Sequence, residues 1–196
     1  MGVPHAAATR FPAYLDESIA VLQRMQESLD AELVEQSIAV IAEALGAGRA
    51  LLVCGNGGSA SDAMHITGEL VGRFLKERKA LKAICLSSNP AVLTAWANDY
   101  SYDTVFSRQV EGYGEPGGVI LGLSTSGNSP NVAEAFKVAR SMGMRTIAMT
   151  GEGGGRLAEI SDILLTVPSR STPLIQQAHI CLYHYVCERV EALLAG

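Results

Sequence analysis

Five short apolar runs, "RALLVCG", "LKAICLS", "GGVILGLS", "MRTIAMTG" and "DILLTVP", recur after Gly48 with helical patterning between them. Runs of this kind form strands buried on both faces, and parallel strands need helical crossovers to connect them. The chain is therefore expected to be α/β, a doubly wound five-stranded parallel sheet. Ahead of the first run, apolar residues at spacings of three and four (Leu15, Ile19, Leu22, Met25, Leu29; then Val34, Ile38, Ile41, Leu45) predict two amphipathic helices, Tyr14 to about Ser28 and Ala31 to Leu45. The last segment, Pro173 to Leu194, reads as one long helix, apolar around much of its circumference. Such a helix is expected to pack its own sheet on one side and another subunit on the other.

A length of 196 residues with 48% hydrophobic and 18% charged content suits one globular domain, and no linker or repeat divides it. The expected organisation is a single domain over 1–196, with 1–48 a helical segment used in oligomerisation and 49–196 the α/β core and final helix. A formal charge of −5 without any Lys/Arg run argues against a nucleic-acid partner. No apolar stretch is long enough to span a bilayer, and the opening "MGVPHAAATRFP" lacks a signal-peptide pattern, which predicts a cytoplasmic protein without a membrane partner. Cys54, Cys85, Cys181 and Cys187 lie in apolar runs and are expected to be buried thiols. On one helix, Cys181 and Cys187 point about 120° apart, so with His184 between them they do not form a metal motif.

Open α/β sheets bind ligands beyond the carboxyl ends of their strands. After the first strand comes "CGNGGSASDAMHITGEL", where glycines that allow close backbone approach precede a helix carrying His65 and Glu69 at i and i+4. Alone, that pair reads as readily as a surface ion pair. The third strand ends in "STSGNSPNV", crowding the hydroxyls of Ser124, Thr125, Ser126 and Ser129 around Gly127, with Pro130 placed to start the next helix. Hydroxyls and N–H groups at a helix N-terminus suit a phosphate, although a serine-rich turn capped by Ser129 would look the same. No lysine follows the glycine, which disfavours a nucleoside-triphosphate loop. Gly55-x-Gly57-x-x-Ala60 fits the relaxed dinucleotide fingerprint, but the next strand ends in Ser87-Ser88-Asn89 where an acidic residue is expected. Asp62 reads as a first-turn helix acid, Arg73 as a solvated or interfacial cation, Trp96 as core or pocket wall, and His179 as a core or interface hydrogen bonder.

Together, "CGNGGSA.DA.H...E", "AWANDY", "STSGNS" and "IQ..H....H" resemble the SIS-domain phosphosugar isomerases, specifically the phosphoheptose (sedoheptulose 7-phosphate) isomerase family, over nearly the whole chain. The resemblance implies a flavodoxin-like five-stranded parallel sheet and a homotetramer with sites at subunit interfaces. It implies conversion of sedoheptulose 7-phosphate into glycero-manno-heptose 7-phosphate through an enediolate, towards the ADP-heptose of surface glycans. By matching motif, Ser124, Thr125, Ser126 and Ser129 form the phosphate cradle with Asn56, Gly57 and Gly58, and Asn98 and Asp99 contact the sugar. His65, Glu69, Gln176 and His184 match positions that bind zinc in several members, with Glu69 and His184 also the acid/base pair and Gln176 also touching substrate. Proton transfer between two sugar carbons needs a base near carbon and an acid near oxygen, which a carboxylate and an imidazole supply.

Two tensions accompany the carry-over. Gln176 and His184 are eight residues apart, about 12 Å along a helix, so either Gln176 precedes the regular helix or the two come from different subunits; the apolar final helix favours the second. A zinc-bound glutamate is also a poor base. Many family members have a basic residue before the "IQ" pair and a glutamate after it, where this chain has Leu174 and Gln177. Two other classes stand as alternatives: a tetrameric SIS adaptor for a replication initiator protein, a group that lacks the carboxylate and second histidine present here, and an isomerase of another phosphosugar. A sugar-sensing regulator is disfavoured because the chain has no DNA-binding domain.

Overall fold

The computed structural model describes residues 10–195; most of the opening "MGVPHAAATRFP" lies outside them. Two helices, α1 (Phe11–Ser28) and α2 (Ala31–Gly46), precede the sheet. Then come β1 (Leu51–Gly55), α3 (Gly58–Val71), β2 (Ala83–Cys85), α4 (Pro90–Asp99), a 3₁₀ turn (Tyr102–Thr104), α5 (Val105–Tyr113) and β3 (Val119–Ser124). The chain continues through α6 (Pro130–Ser141), β4 (Arg145–Thr150), α7 (Leu157–Ile160), β5 (Ile163–Thr166) and α8 (Thr172–Leu194). All five strands pair in parallel in the order β2-β1-β3-β4-β5, and each falls inside one of the five apolar runs. The order reverses between β1 and β3, the place where a doubly wound sheet opens a ligand crevice.

Strand pleating sorts the core into two layers. Leu51 and Val53 of β1 face α2, α3 and α8, while Ala50, Leu52 and Cys54 face α5 and α6. The same alternation continues in β3, where Leu121 and Leu123 lie on the first side and Ile120 on the second. Gly122 has a steric reason: a Cβ there would sit 2.6 Å from Val132 and 2.7 Å from Phe136, so glycine lets α6 lie close on the sheet.

Two expectations need correction. The stripe on α1 does not turn wholly inward: Met25 is buried with Val21, whereas Leu15, Ile19 and Leu22 are exposed, as is Phe11. The thiols are also not uniform, since Cys54 and Cys187 are buried, Cys85 is half-buried and Cys181 is exposed. Leu174 and Gln177, the departures from the family pattern, both serve the α1 contact. Leu174 joins the small core with Val21 and Met25, and Gln177 Nε2 donates to Tyr14 Oη at 2.9 Å. One face of α8 is buried, while Ile180, Tyr185 and Leu193 remain exposed on others. No helix among the described residues is long and apolar enough to cross a membrane.

Candidate active site

The β1–α3 turn is built around Gly57, whose φ of +56° is the left-handed conformation that favours glycine. Gly55 is equally constrained, because a Cβ there would lie 2.5 Å from the Ser59 carbonyl oxygen. Across the switch point, the β3–α6 turn places Ser129 at the N-cap of α6, but its hydroxyl does not cap the helix. Instead Ser129 Oγ lies 2.8 Å from Ser124 Oγ. The capped-turn alternative therefore fails at the side chain, and both hydroxyls are kept at the crevice. Gly127, at φ +67°, packs so close to the β4–α7 loop that a Cβ would meet the Gly154 carbonyl oxygen at 2.0 Å. These turns enclose a cleft of about 290 Å³ lined by Asn56, Gly57, Gly58, Ser124, Thr125, Ser129 and Gln176 among others.

Asn56 is held by two residues that the sequence did not single out. Asn131, buried on α6, exchanges reciprocal amide hydrogen bonds of 2.9 Å with it, and Tyr102 Oη donates to its Oδ1 at 3.0 Å. Ser126 is exposed and its Oγ accepts the Asn128 backbone N–H at 3.2 Å, so it shapes the turn and does not line the cleft. Asn98 and Asp99 end α4, exposed and hydrogen-bonded to each other at 2.9 Å, and are not among the cleft-lining residues. Trp96 is partly buried as wall: its Nε1 donates to Thr104 Oγ1, and Arg108 stacks over its ring.

The second group sits farther along α3 and α8. Gly58 abuts the Gln176 side chain at the start of these helices, and His65 meets His184 about two turns later. The two helices therefore run side by side in the same direction. His65 Nε2 lies 2.9 Å from Glu69 Oε1 and 3.4 Å from His184 Nε2. One ligand-capable atom from each of His65, Glu69 and His184 falls within 4.8 Å of the others. Two imidazoles and a carboxylate at this spacing fit a zinc ion with an open position for water or substrate. A single chain thus supplies His65, Glu69 and His184 together. Gln176 lies within regular α8, so the alternative that it precedes the helix fails.

The surroundings of the trio are polar on one side and open on the other. Tyr183 Oη lies 2.9 Å from His65 Nδ1 and donates to Asp62 Oδ1 at a long 3.4 Å. Asp62 is not the first-turn dipole acid expected: it lies past the first turn of α3, buried, with Oδ2 lacking a hydrogen-bond partner among the described residues. Burial pushes its carboxyl up, against the Tyr183 hydroxyl and His65, which pull it down. Phe74 lies against the other side of His184, its ring centroid 5.7 Å away. The Phe74 loop is anchored by Glu191, a buried carboxylate that accepts the backbone N–H groups of Phe74, Leu75 and Lys76 and pairs with buried Arg78. Burial pushes Glu191 up, but those N–H groups and Arg78 outweigh it and hold the carboxyl below its usual range. The side chain of His65 stays 46% exposed, and Met64 and Val71 of α3, Leu75, and Ile180 and Tyr185 of α8 are exposed as well. Arg73 makes a surface pair with Glu77.

His179, between Gln176 and His184 in sequence, faces the core as expected: its Nε2 meets the Thr150 carbonyl at 3.2 Å. Burial lowers its pKa to about 4, outweighing that hydrogen bond, so it is neutral near pH 7. A larger groove of about 790 Å³ lies between α1, α2 and α8, lined mainly by Leu22, Met25, Leu29, Val34 and Cys181. It holds no member of the trio and forms part of the exposed apolar face.

A parallel sheet with hydroxyl-lined turns at its switch point is the architecture of sugar-phosphate SIS domains, and residues 13–151 match the SIS domain family model. The chain is a SIS-domain protein. It is 51% identical over 161 residues to the phosphoheptose isomerase of Crocosphaera subtropica, covering 82% of each chain. A phosphoheptose isomerase structure from Neisseria gonorrhoeae superposes with a TM-score of 0.86 at 40% identity, covering 92% of this chain and 96% of that one. One from Francisella tularensis gives a TM-score of 0.88 at 33% identity with the same coverage. The chain belongs to the phosphoheptose isomerase family, and it is an isomerase.

Proposed function

We propose that the protein interconverts sedoheptulose 7-phosphate and glycero-manno-heptose 7-phosphate, the aldose feeding ADP-heptose and surface-glycan synthesis. One observation carries this reading: the hydroxyl-lined cleft lies at the N-terminal ends of α3 and α8, and the His65–Glu69–His184 trio lies on the same two helices about 10 Å further along their axes. A phosphate held at the cleft directs the other end of an extended sugar phosphate towards the trio. Retention of Glu69 and His184 disfavours the initiator-adaptor reading.

In this mechanism Ser124, Thr125 and Ser129 bind the phosphate with Asn56, Gly57 and Gly58, while Ser126 supports the turn. Gln176 orients the sugar from the cleft wall, and Asn98 and Asp99 contact it from the end of α4. Glu69 removes the C1 proton of the ketose and returns a proton at C2, and His184 moves the proton between the two oxygens. Oε1 of Glu69 faces His65 Nε2 at 2.9 Å, whereas Oε2 has no contact of this kind among the described residues. Ligand and base roles are thus divided between two oxygens of one carboxylate. The trio fits zinc, which when bound would polarise the carbonyl oxygen of the substrate. Gln176 could join the ligand set only from a neighbouring chain, because its own copy lies about 12 Å along α8 from His184.

A cytoplasmic homotetramer is part of the proposal. Exposed Phe11, Leu15, Ile19 and Leu22 on α1, with exposed Met64 on α3 and Ile180 and Tyr185 on α8, support covering of these helices by other copies. On this reading residues 1–48 serve assembly and the whole chain is one domain.

The decisive experiment incubates the protein with sedoheptulose 7-phosphate in D₂O and follows the product by NMR. The expected result is the aldoheptose 7-phosphate with solvent deuterium at C2, and no reaction of unphosphorylated sedoheptulose. Turnover of six-carbon ketose phosphates in preference to the heptulose would replace the substrate assignment.

A further inference from the structure

We propose that Tyr183, backed by Asp62, is a positioning residue that keeps the proton of neutral His65 on Nδ1 and so presents the Nε2 lone pair to the zinc-binding centre.

The argument rests on hydrogen counting. Tyr183 Oη has one hydrogen and two neighbours, His65 Nδ1 at 2.9 Å and Asp62 Oδ1 at 3.4 Å. Asp62 is 6% exposed, and among the described residues its Oδ2 has no partner and the Tyr183 hydroxyl is its single side-chain hydrogen bond. If Tyr183 gave its hydrogen to His65 instead, an ionised Asp62 would have no side-chain donor among the described residues, the costly arrangement for a charge out of water. The hydroxyl therefore points to Asp62, and its oxygen accepts from His65 Nδ1–H. Nε2 is then the bare nitrogen, and it faces Glu69 Oε1 and His184 Nε2. Bare His65 Nε2 and Glu69 Oε1, 2.9 Å apart, are then two electron-pair donors that repel one another unless a cation lies beside both. A histidine that ligates a metal commonly donates its other ring N–H to an outer partner, which fixes tautomer and ring orientation. Here that partner is a phenol relayed to a carboxylate, and two buried helix positions supply it: Asp62 one turn before His65, and Tyr183 immediately before His184.

This inference rests on the zinc reading for its consequence but not for its direct test. Histidine-labelled zinc-free wild type, Tyr183→Phe and Asp62→Asn would be compared by long-range ¹⁵N–¹H NMR, with His65 assigned through His65→Gln. Wild type should show the Nδ1–H tautomer. Tyr183→Phe should lose that bias, and Asp62→Asn, whose amide can donate to Tyr183 Oη and turn the hydroxyl towards His65, should shift His65 to Nε2–H. Zinc affinity measured against a chromophoric chelator should fall about 10- to 100-fold in Tyr183→Phe. Its kcat should fall with little change in KM, since the phosphate cleft is untouched. A folded Tyr183→Phe protein with the wild-type tautomer and zinc affinity within twofold would overturn the proposal, as would a wild-type Nε2–H tautomer. If wild type binds no zinc, the metal reading fails and the tautomer comparison alone decides the role of Tyr183. If Tyr183→Phe does not fold, an unchanged tautomer in Asp62→Asn overturns it.

Discussion

The cleft lies at the N-terminal ends of the two helices that carry the trio, and the two sites are built in opposite ways. The cleft is made from turns whose shape is enforced by steric limits: Gly55, Gly57 and Gly127 stand where a Cβ would strike backbone or where φ is positive. Its hydroxyls are positioned by the chain segments that carry them. The trio consists of side chains on regular helices, and its geometry depends on how α3 and α8 align and on Tyr183, Asp62 and Phe74 around it. A binding site for a fixed charge tolerates a rigid frame, whereas a proton-transfer centre requires tunable neighbours. The difference teaches that substrate affinity and turnover should be separable by mutation.

The largest effect is expected at the trio. Glu69→Gln should lower kcat by roughly 10²- to 10⁴-fold while calorimetry shows phosphosugar binding nearly intact. A parallel loss of binding would merge the two regions into one. Next, Ser124→Ala should weaken substrate binding by about 1.5 to 3 kcal/mol, the cost of a lost hydrogen bond to a charged group, with kcat little changed. A milder probe is His179, which ties α8 to the end of β4 between the two regions. Its folded pKa of about 4 lies below the ordinary 6.5, so the unfolded chain binds more protons between these values and stability falls as pH drops through that window. Urea unfolding should show wild type losing about 1 kcal/mol between pH 7.5 and 5.5 from this group, a slope that His179→Gln should remove. The smallest effect belongs to Ser126→Ala. Because Ser126 Oγ accepts from Asn128 and lies off the cleft, KM should rise less than with Ser124→Ala. Equal effects of the two variants, measured side by side, would return Ser126 to the phosphate cradle.

The same contrast governs how much could be read from the sequence. The strands were legible because buried parallel strands leave unbroken apolar runs, and the cleft because glycines and hydroxyls at strand ends mark it locally. His65 and Glu69 were legible as an i,i+4 pair, but His184 entered through the family resemblance. Which residues of α3 face which of α8 depends on helix packing, and nothing local records it. Asp62 was misread for that reason: its role depends on Tyr183, far away in the chain. Asn131 and Tyr102 were missed likewise, since their partner Asn56 belongs to another segment. The outward stripe of α1 has the pattern of a buried face, and periodicity does not say whether its own chain or another copy covers it.

The Glu191 anchor has a consequence for local opening. Phe74, Leu75 and Lys76 belong to no helix or strand, and residues there would ordinarily exchange their amide hydrogens with solvent at the rate of a surface loop. Their N–H groups instead end on a carboxylate near the last turn of α8, so they are released only when that turn unfolds or Arg78 and Glu191 separate. Hydrogen exchange should therefore report these three amides and the end of α8 as one cooperative unit. The unit reaches the trio through Phe74, so fraying at the carboxyl end of the chain would be felt at His184.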